Sequence, residues 1–196
     1  MITLYGMPLS GHVHRVRLLL SMLGLDYRFE TVTGPTPELL RLNPLGQIPV
    51  LRDGDLVLAD SNAILVYLAK TYGGAGTDWL PGDAVGAAHV QRWLSIAAGE
   101  LRQGPAAARM VALFHKSGEP PDAQARAARI LAFMDSFLDG RMFLAAASPT
   151  LADLACYSYT AHAPEGGISL EPYPHVRAWL ERIEALPGFV PMPWRE

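Results

Sequence analysis

Three short groups of residues in the first third of the chain have types and spacing that suit chemistry on a small peptide. Ser10 precedes a run of helical periodicity, Ile48-Pro49 precedes a predicted strand, and Asp60-Ser61 precedes a second helical run. These groups offer a hydroxyl, a backbone edge, and an acid beside a hydroxyl. Because a predicted hairpin separates the second group from the third, both ends of a peptide would lie on one rim.

Ser10 is the candidate catalytic residue, because a hydroxyl beside a helix N-terminus can donate a hydrogen bond to a thiolate. The pKa of a free thiol is about 8.5. Lowering it by about two units corresponds to roughly 2.7 kcal/mol of thiolate stabilisation, which one charge-assisted hydrogen bond and a helix dipole approach. An ordinary N-cap is the alternative interpretation of Ser10.

Pro49 stands where a loop meets a predicted strand, a position at which a strand tolerates proline. A cis Ile48-Pro49 bond would fit there and would leave the N–H and C=O of Ile48 unpaired and facing outward. Those two groups would clamp an extended peptide as a short added strand. A trans proline that ends the loop is the alternative, since X-Pro bonds are usually trans.

Asp60-Ser61 stands at the predicted start of a helix, where backbone N–H groups and the positive end of the dipole favour an anion. The Ser61 hydroxyl and those N–H groups would hold a carboxylate, and Asp60 would pair with an ammonium. An α-amino acid head group carries both charges side by side. The alternative is a plain N-cap, because Asp and Ser are preferred there.

The elements that must position these groups follow from periodicity and turn residues. An N-terminal βαβ unit followed by a ββα unit predicts a small mixed sheet with helices. The Asp53-Gly54 pair predicts a tight hairpin turn, because it supplies positive φ angles. The predicted strands cover residues 2–6, 27–31, 50–52 and 56–59, and the predicted helices cover 11–24, 37–42 and a run that begins at residue 61.

Beyond a linker rich in glycine and proline, only helical periodicity remains, which predicts an all-helical second domain. We place the first domain at residues 1–75, the linker at 76–83 and the helical domain at 84–196. Thr150 and Asp153 form a predicted capping box. The predicted helices cover residues 84–116, 121–139, 150–163 and 173–186.

Composition narrows the functional classes. The net charge of −3 and a charged fraction of 18% give no basic footprint for nucleic acid. We expect a cytoplasmic protein with no membrane partner, because the chain shows no leader and no long apolar run. The single cysteine, Cys156, excludes an intrachain disulfide and is expected to be a buried small hydrophobe.

Basic residues of the first helical run are expected to face solvent. His12 and His14 have no third ligand at metal spacing, so we predict two solvent-facing histidines and no metal site. Arg15 and Arg17 are expected to make surface or interdomain ion pairs.

Taken together, these residues resemble the cytosolic glutathione transferase family over essentially the whole chain. Residues 4–10, LYGMPLS, followed by Arg15-Val16, look like the serine-type first motif of that family. Residues 43–51, NPLGQIPVL, and 60–68, DSNAILVYL, are similar to its glutathione-site signature. Residues 150–153, TLAD, look like the capping motif of its helical domain. The resemblance implies a thioredoxin-like N-terminal domain and an all-helical C-terminal domain.

The resemblance also implies roles for the matching positions. Ser10 would hydrogen-bond the glutathione sulfur, the backbone of Ile48 would pair with the cysteinyl moiety, and Pro49 would be cis. Asp60 and Ser61 would hold the γ-glutamyl head.

The glycyl end of glutathione and the electrophile would meet other residues. Gln47 would contact the peptide near its glycyl end, and Arg41 is a substitute for the Lys or His that residues 33–36 lack. Asp60 is also a departure, because the family usually has Glu or Gln there. The family's electrophile pocket lies between the domains, so residues of the first long helix are expected to line it. Core packing is the alternative for each of these residues, which are Glu100, Arg109, Met110, Leu113 and Phe114.

These roles predict a homodimeric glutathione S-transferase that activates the glutathione thiol for conjugation to a small hydrophobic electrophile, or for reduction of an organic peroxide. Glutathione would be the co-substrate, and no metal would be needed. A non-catalytic interaction protein of the same fold is an alternative. A glutathione-dependent isomerase or dehalogenase is a further one, although the Ser-Ser-Cys type motif of the isomerases is absent from residues 7–12.

Overall fold

The computed structural model describes residues 1–74 and 78–194 in two compact units. Met1–Gly74 and Pro187–Trp194 form the first unit, and the second contains residues 78–186. The predicted linker begins on residues 76 and 77, which lie outside the described residues. Its Trp79 is buried, and the carbonyl of Trp79 accepts a hydrogen bond from the Leu151 amide at 2.8 Å.

The first unit confirms the predicted βαβ-ββα order. Its elements are β1 (Ile2–Gly6), α1 (Gly11–Met22), β2 (Tyr27–Thr31), α2 (Pro37–Leu42), β3 (Val50–Asp53), β4 (Leu56–Ala59) and α3 (Ser61–Tyr72). The strands lie in the order β2-β1-β3-β4, with β1 parallel to β2 and antiparallel to β3. The central strands carry the core, since Leu4, Val50 and Leu51 are fully buried.

The hairpin between β3 and β4 differs from its prediction in one residue. Asp53 ends β3 and pairs with Leu56, so the turn residues are Gly54 and Asp55. Only Gly54 of these has a positive φ, 59°. A glycine in the first turn position is sufficient for the reversal, because it takes that conformation without a Cβ clash.

The second unit is helical, as predicted. Its elements are α4 (Ala84–Ile96), a π-helical segment (Ala97–Ala106), α5 (Ala107–Phe114), α6 (Ala123–Leu138), α7 (Leu151–Ala161), a 3-10 turn (Ala163–Gly166) and α8 (Pro174–Glu184). The one helix predicted over 84–116 therefore has a widened middle. Pro105 lies inside it and has no amide hydrogen for an α-helical bond.

A buried network holds the start of α7. The predicted capping box of Thr150 and Asp153 is confirmed. Asp153 Oδ2 accepts from the Thr150 amide at 2.8 Å, and Oδ1 accepts from the Leu144 amide and from Trp179 Nε1, each at 2.9 Å. Burial raises the pKa of Asp153, and these hydrogen bonds act in the opposite direction. The network joins α7, α8 and the segment before α7.

The end of the chain returns to the first unit, which the division at residue 84 did not anticipate. His14 Nε2 lies 2.7 Å from the carbonyl oxygen of Val190, and Met192 is buried. Gly188 has a φ of 80°, and a Cβ there would lie 2.9 Å from the Cα of Met22. The segment 187–194 therefore packs along α1 through close backbone contact.

Candidate functional site

Ser10 lies at the N-cap of α1. Its Oγ accepts a hydrogen bond from the Val13 amide at 3.4 Å, so the capping interpretation is confirmed. The hydroxyl also carries a hydrogen, which has no acceptor within the described parts of the chain. Because a hydroxyl can accept and donate at once, the cap leaves the Ser10 O–H group able to donate to a ligand.

The loop before β3 presents a backbone edge. The Ile48-Pro49 bond is cis, which confirms that prediction. The side chain of Ile48 packs against the core residues Tyr5, Leu39 and Val50. Across residues 1–74 and 78–194, neither the N–H nor the C=O of Ile48 has a hydrogen-bond partner. A donor and an acceptor of one half-buried residue are therefore open to a ligand.

Asn43 fixes the loop that carries Gln47. This buried side chain donates from Nδ2 to the Gln47 carbonyl at 2.9 Å and accepts from the Leu45 amide at 3.2 Å. Gly46 has a φ of 63°, which reverses the chain before Gln47. The Gln47 side chain is exposed.

Asp60 is the N-cap of α3. One carboxylate oxygen, Oδ1, accepts from the amides of Asn62 at 2.9 Å and Ala63 at 3.0 Å, so this capping interpretation is also confirmed. The other oxygen, Oδ2, has no hydrogen-bond donor among the described residues. Asp60 also has a φ of 73°, an uncommon conformation for a residue other than glycine. Such backbone strain tends to occur at ligand sites.

Ser61 is buried beside two residues of α1. Arg15 Nη1 donates to Ser61 Oγ at 3.3 Å and to Asn62 Oδ1 at 3.0 Å. His12 Nδ1 lies 3.4 Å from Ser61 Oγ. This cluster was not predicted from the sequence, because the basic residues of α1 were expected to face solvent.

That interpretation of α1 is wrong for His14 and Arg15. Both are fully buried, while His12 is half-buried. His14 is held by the Val190 carbonyl, and Arg15 is held by the polar groups at the start of α3. Arg17 donates to the Tyr27 hydroxyl at 3.2 Å. Buried charged and polar groups require hydrogen-bond partners. The partners of His14 and Arg15 lie far along the sequence.

The sheet register brings the three groups to one edge. Tyr5 pairs with Val50, and Val50 pairs with Ala59. The end of β1, the start of β3 and the end of β4 are therefore neighbours. The loops that carry Ser10, Ile48 and Asp60 all leave the sheet at that edge.

The predicted electrophile residues lie in the second unit in two different settings. Arg109 is buried, and its Nε donates to Glu165 Oε2 at 2.6 Å. The same oxygen lies 2.8 Å from His162 Nδ1, and burial lowers the pKa of His162. Met110, Leu113 and Phe114 are half-buried along one face of α5.

Other residues have plainer settings. Tyr5 is a core residue, Cys156 is buried as predicted, and Arg41 is exposed in the last turn of α2. Glu100 forms an ion pair with Arg129 at 3.1 Å. Over the described ranges, no group of three or more His, Cys, Asp or Glu side chains could hold a metal ion. Within those ranges, no helix has the length and apolarity that crossing a membrane requires.

Two family models match this chain. "Glutathione S-transferase, N-terminal domain" matches residues 4–76, and "Glutathione S-transferase, C-terminal domain" matches residues 104–187. Glutathione S-transferase 3 of Zea mays is 37% identical over 95% of this chain and 90% of the relative.

The chain belongs to the glutathione S-transferase family.

Solved structures of the family share its fold. A glutathione S-transferase from Xanthobacter autotrophicus Py2 superposes with a TM-score of 0.89 at 31% identity, covering 98% of this chain and 97% of the other. One from Pseudomonas fluorescens Pf-5 superposes with a TM-score of 0.87 at 32% identity, covering 97% and 98%. The chain is thus a glutathione S-transferase enzyme, and glutathione is its substrate. The residues at the sheet edge are the candidates for binding that substrate.

Proposed function

We propose that the sheet edge formed by Ser10, Gln47–Pro49 and Asp60-Ser61 binds glutathione and activates its thiol. The observation that carries this proposal is the set of open polar groups at one edge. Ser10 offers an O–H donor, Ile48 offers a backbone donor and acceptor, and Asp60 offers a carboxylate oxygen. Each matches a different part of an extended tripeptide.

The γ-glutamyl head is assigned to the start of α3. Asp60 Oδ2 would accept from the ammonium, and Ser61 with the helix N-terminus would hold the carboxylate. Ile48 would pair with the cysteinyl moiety, and Gln47 would contact the glycyl end. Asp60 is tied to α3 through Oδ1, so its one remaining oxygen suits a single ammonium donor.

Ser10 is assigned to the sulfur. Donation from its hydroxyl stabilises the thiolate and lowers the pKa of the thiol, whose proton passes to solvent. The thiolate electron pair then forms the carbon–sulfur bond with an electrophilic carbon, which releases its leaving group or accepts the pair into a conjugated system. In peroxide reduction, the same thiolate would attack an oxygen of the organic peroxide, which breaks the O–O bond, releases the alcohol after protonation and leaves glutathione sulfenic acid. A second glutathione would then reduce the sulfenic acid to give glutathione disulfide and water.

The electrophile is a small hydrophobic compound in this proposal. Met110, Leu113 and Phe114 supply an apolar face on α5. The buried ion pair of Arg109 with Glu165 ties α5 to the 3-10 turn at Ala163–Gly166. Arg109 would act in the electrophile pocket through this pair.

We also propose a homodimer. The edge strand β4 exposes Leu56 and Val57, each with 39% of its surface accessible. Exposed apolar edge strands are normally covered, and a second copy of the chain is the proposed cover. The cytoplasmic location and the absence of a metal requirement stay predictions from the sequence.

Substitution of Ser10 tests the catalytic assignment, and two variants separate its two roles. Ser10→Ala removes both the cap and the donor. Ser10→Asp keeps a capping acceptor but places a negative charge where the thiolate forms. We expect at least a hundredfold loss of kcat/KM in a glutathione conjugation assay for both variants, on the order expected for one stabilising group.

Stability measurements complete the test. Urea unfolding of Ser10→Ala should show a loss of about 1 kcal/mol from the missing cap, and Ser10→Asp should lose less. Thr36→Ala, which removes the side-chain cap of α2, is the control for a capping effect alone. If Ser10→Ala turns over as fast as the parent, the assigned role is wrong.

A further inference from the structure

The short helix α5 depends on its own contacts for its orientation. It directly follows the π-helical segment, so no continuous α-helical register carries over from α4. At its other end, His115 takes a φ of 49° and ends the helix. The apolar face formed by half-buried Met110, Leu113 and Phe114 is called the α5 face below. The rotation of α5 about its axis sets the direction of this face, and groups packed against α5 must fix it.

The 3-10 turn at Ala163–Gly166 packs against the start of α5 at backbone distance. A Cβ at Gly166 would lie 2.8 Å from the amide nitrogen of Arg109, so a glycine is needed for the two backbones to approach this closely. Ala107 and Ala108 are buried in the same core cluster as the start of that turn. Alanine side chains permit close approach but interdigitate little, which leaves the rotation of α5 to a directional contact.

One carboxylate oxygen supplies that contact. Glu165 Oε2 accepts from Arg109 Nε at 2.6 Å and lies 2.8 Å from His162 Nδ1. Because an ionised carboxylate can only accept, His162 donates from Nδ1. At most 6% of each of these three side chains is exposed, so solvent screens the contact little.

His162 holds Glu165 without adding a second positive charge. Burial lowers the pKa of His162 and the charge of Arg109 acts in the same direction, whereas Glu165 and Glu184 act against them. The ring is therefore neutral near pH 7, because its pKa lies below the ordinary value of about 6.5. The amide of His162 donates to the Ser158 carbonyl at 3.1 Å and caps α7, so Glu165 is held from the end of that helix.

We propose that Glu165 and His162 are positioning residues for the electrophile site, and that they favour apolar substrates by fixing the direction of the α5 face. This inference rests on the proposed function, in which the group attached to the glutathione sulfur lies against that face. Both residues act through Arg109 and not by touching the electrophile. Loss of either contact weakens the hold on the apolar group and leaves the binding of the tripeptide intact.

Isothermal titration of the full chain with two S-alkyl glutathiones tests the proposal without turnover. S-methylglutathione and S-hexylglutathione share the tripeptide and differ only in alkyl length, so the ratio of their Kd values reports the contacts of the alkyl chain. Glu165→Gln removes the charge, His162→Leu removes the donor, and His162→Asn keeps a donor close to the place of Nδ1. Glu119→Gln is the matched control, because this carboxylate has the same 6% side-chain exposure and pairs with Arg102 at 2.8 Å in the same unit.

In the parent, S-hexylglutathione should bind at least tenfold more tightly than S-methylglutathione, since each buried methylene contributes about fourfold in affinity. Glu165→Gln and His162→Leu should each lower that ratio about fourfold or more, while the Kd of S-methylglutathione stays unchanged. His162→Asn and Glu119→Gln should keep the ratio close to that of the parent. Parental ratios in both Glu165→Gln and His162→Leu would overturn the inference, and so would an equal fall in Glu119→Gln.

Two further measurements separate this inference from the function on which it rests. A parent that binds neither ligand, or binds both equally, would contradict the proposed function, and the inference would fall with it. Phe114→Ala shortens the α5 face itself and should lower the ratio whether or not Glu165 acts. A lower ratio in Phe114→Ala beside parental ratios in the Glu165 and His162 variants would contradict the positioning role alone. If His162→Leu loses both ligands, its fold is impaired, and Glu165→Gln decides.

Discussion

Arg15 is the residue whose position bears most on the proposed glutathione site. A fully buried guanidinium on α1 donates to Ser61 and to Asn62 at the start of α3. Ser61 is therefore oriented by a positive charge as well as by a helix N-terminus. Both effects favour an anionic ligand group.

The substitution Arg15→Lys tests that orientation. A lysine keeps the charge but lacks the planar fork that reaches two oxygens. On the proposed function, we expect the KM for glutathione to rise about tenfold, equivalent to one lost hydrogen bond to a charged group. Steady-state kinetics with varied glutathione measures it.

Arg17→Lys is the matched control, because Arg17 lies on the same helix and contacts Tyr27. It should leave the KM for glutathione near that of the parent. An Arg15→Lys enzyme with an unchanged KM would show that this guanidinium does not act on the ligand.

At the scale of elements, the sequence determines more of the first unit than of the second. Alternation, Asp-Gly and capping residues are local signals, and α2 (Pro37–Leu42) has the predicted bounds. The π-helical segment was not predicted. The apolar spacing of this stretch is continuous except at Pro105, and it therefore indicates one regular helix. Its geometry depends on packing against α6, which no local signal reports.

Gly104 shows that packing directly. A Cβ at this position would lie 2.8 Å from the amide nitrogen of Ala127 on α6, whereas a Cβ at Gly99 would meet nothing within 4 Å. Gly104→Ala should therefore lower the free energy of unfolding by about 1–3 kcal/mol through overpacking. Gly99→Ala, in the same segment, should leave it unchanged or raise it by up to about 1 kcal/mol.

Urea unfolding of the two glycine variants compares them under the same conditions. Equal stability of Gly104→Ala and Gly99→Ala would contradict the close approach of the π-helical segment to α6.

The start of α7 makes a second prediction at this scale. Asp153→Asn leaves one carbonyl oxygen where two carboxylate oxygens serve four donors. The new NH2 group would face the Thr150 amide and hydroxyl, and each stranded buried donor costs about 1–3 kcal/mol. The free energy of unfolding should fall accordingly. Thr150→Ser, which keeps both donors, should cost far less, and equal losses in both variants would contradict this account.

At the scale of the whole molecule, the first unit is built from both ends of the chain. The fold class was predictable, and so were the cap at Ser10, the cis Ile48-Pro49 bond and the cap at Asp60, because they depend on motifs in contiguous segments. The bond from His14 to Val190 was not, since it spans nearly the whole sequence and neither residue carries a distinctive signal. For the same reason, His14 was predicted to face solvent.

His14→Leu should detach the end of the chain from α1. The Val190 carbonyl would lose its donor, so the free energy of unfolding should fall by about 1–3 kcal/mol. Limited proteolysis should then remove the segment 187–194 faster than in the parent. His14→Gln, whose amide can still donate, should show a smaller change. Cleavage of the segment at the parental rate in His14→Leu would contradict the role given to this bond.

The return of residues 187–194 to the first unit also sets an order of events during synthesis. The first 74 residues leave the ribosome roughly a hundred residues before the segment that completes their packing, although N-terminal domains usually fold first. Until then, the backbone of α1 at Met22, which Gly188 contacts in the fold, and the ring of His14 lack their native cover. A recombinant chimera that exchanges residues 1–74 as a single cassette would consequently keep a foreign C-terminal segment against α1, and exchange of both segments together would preserve the native packing.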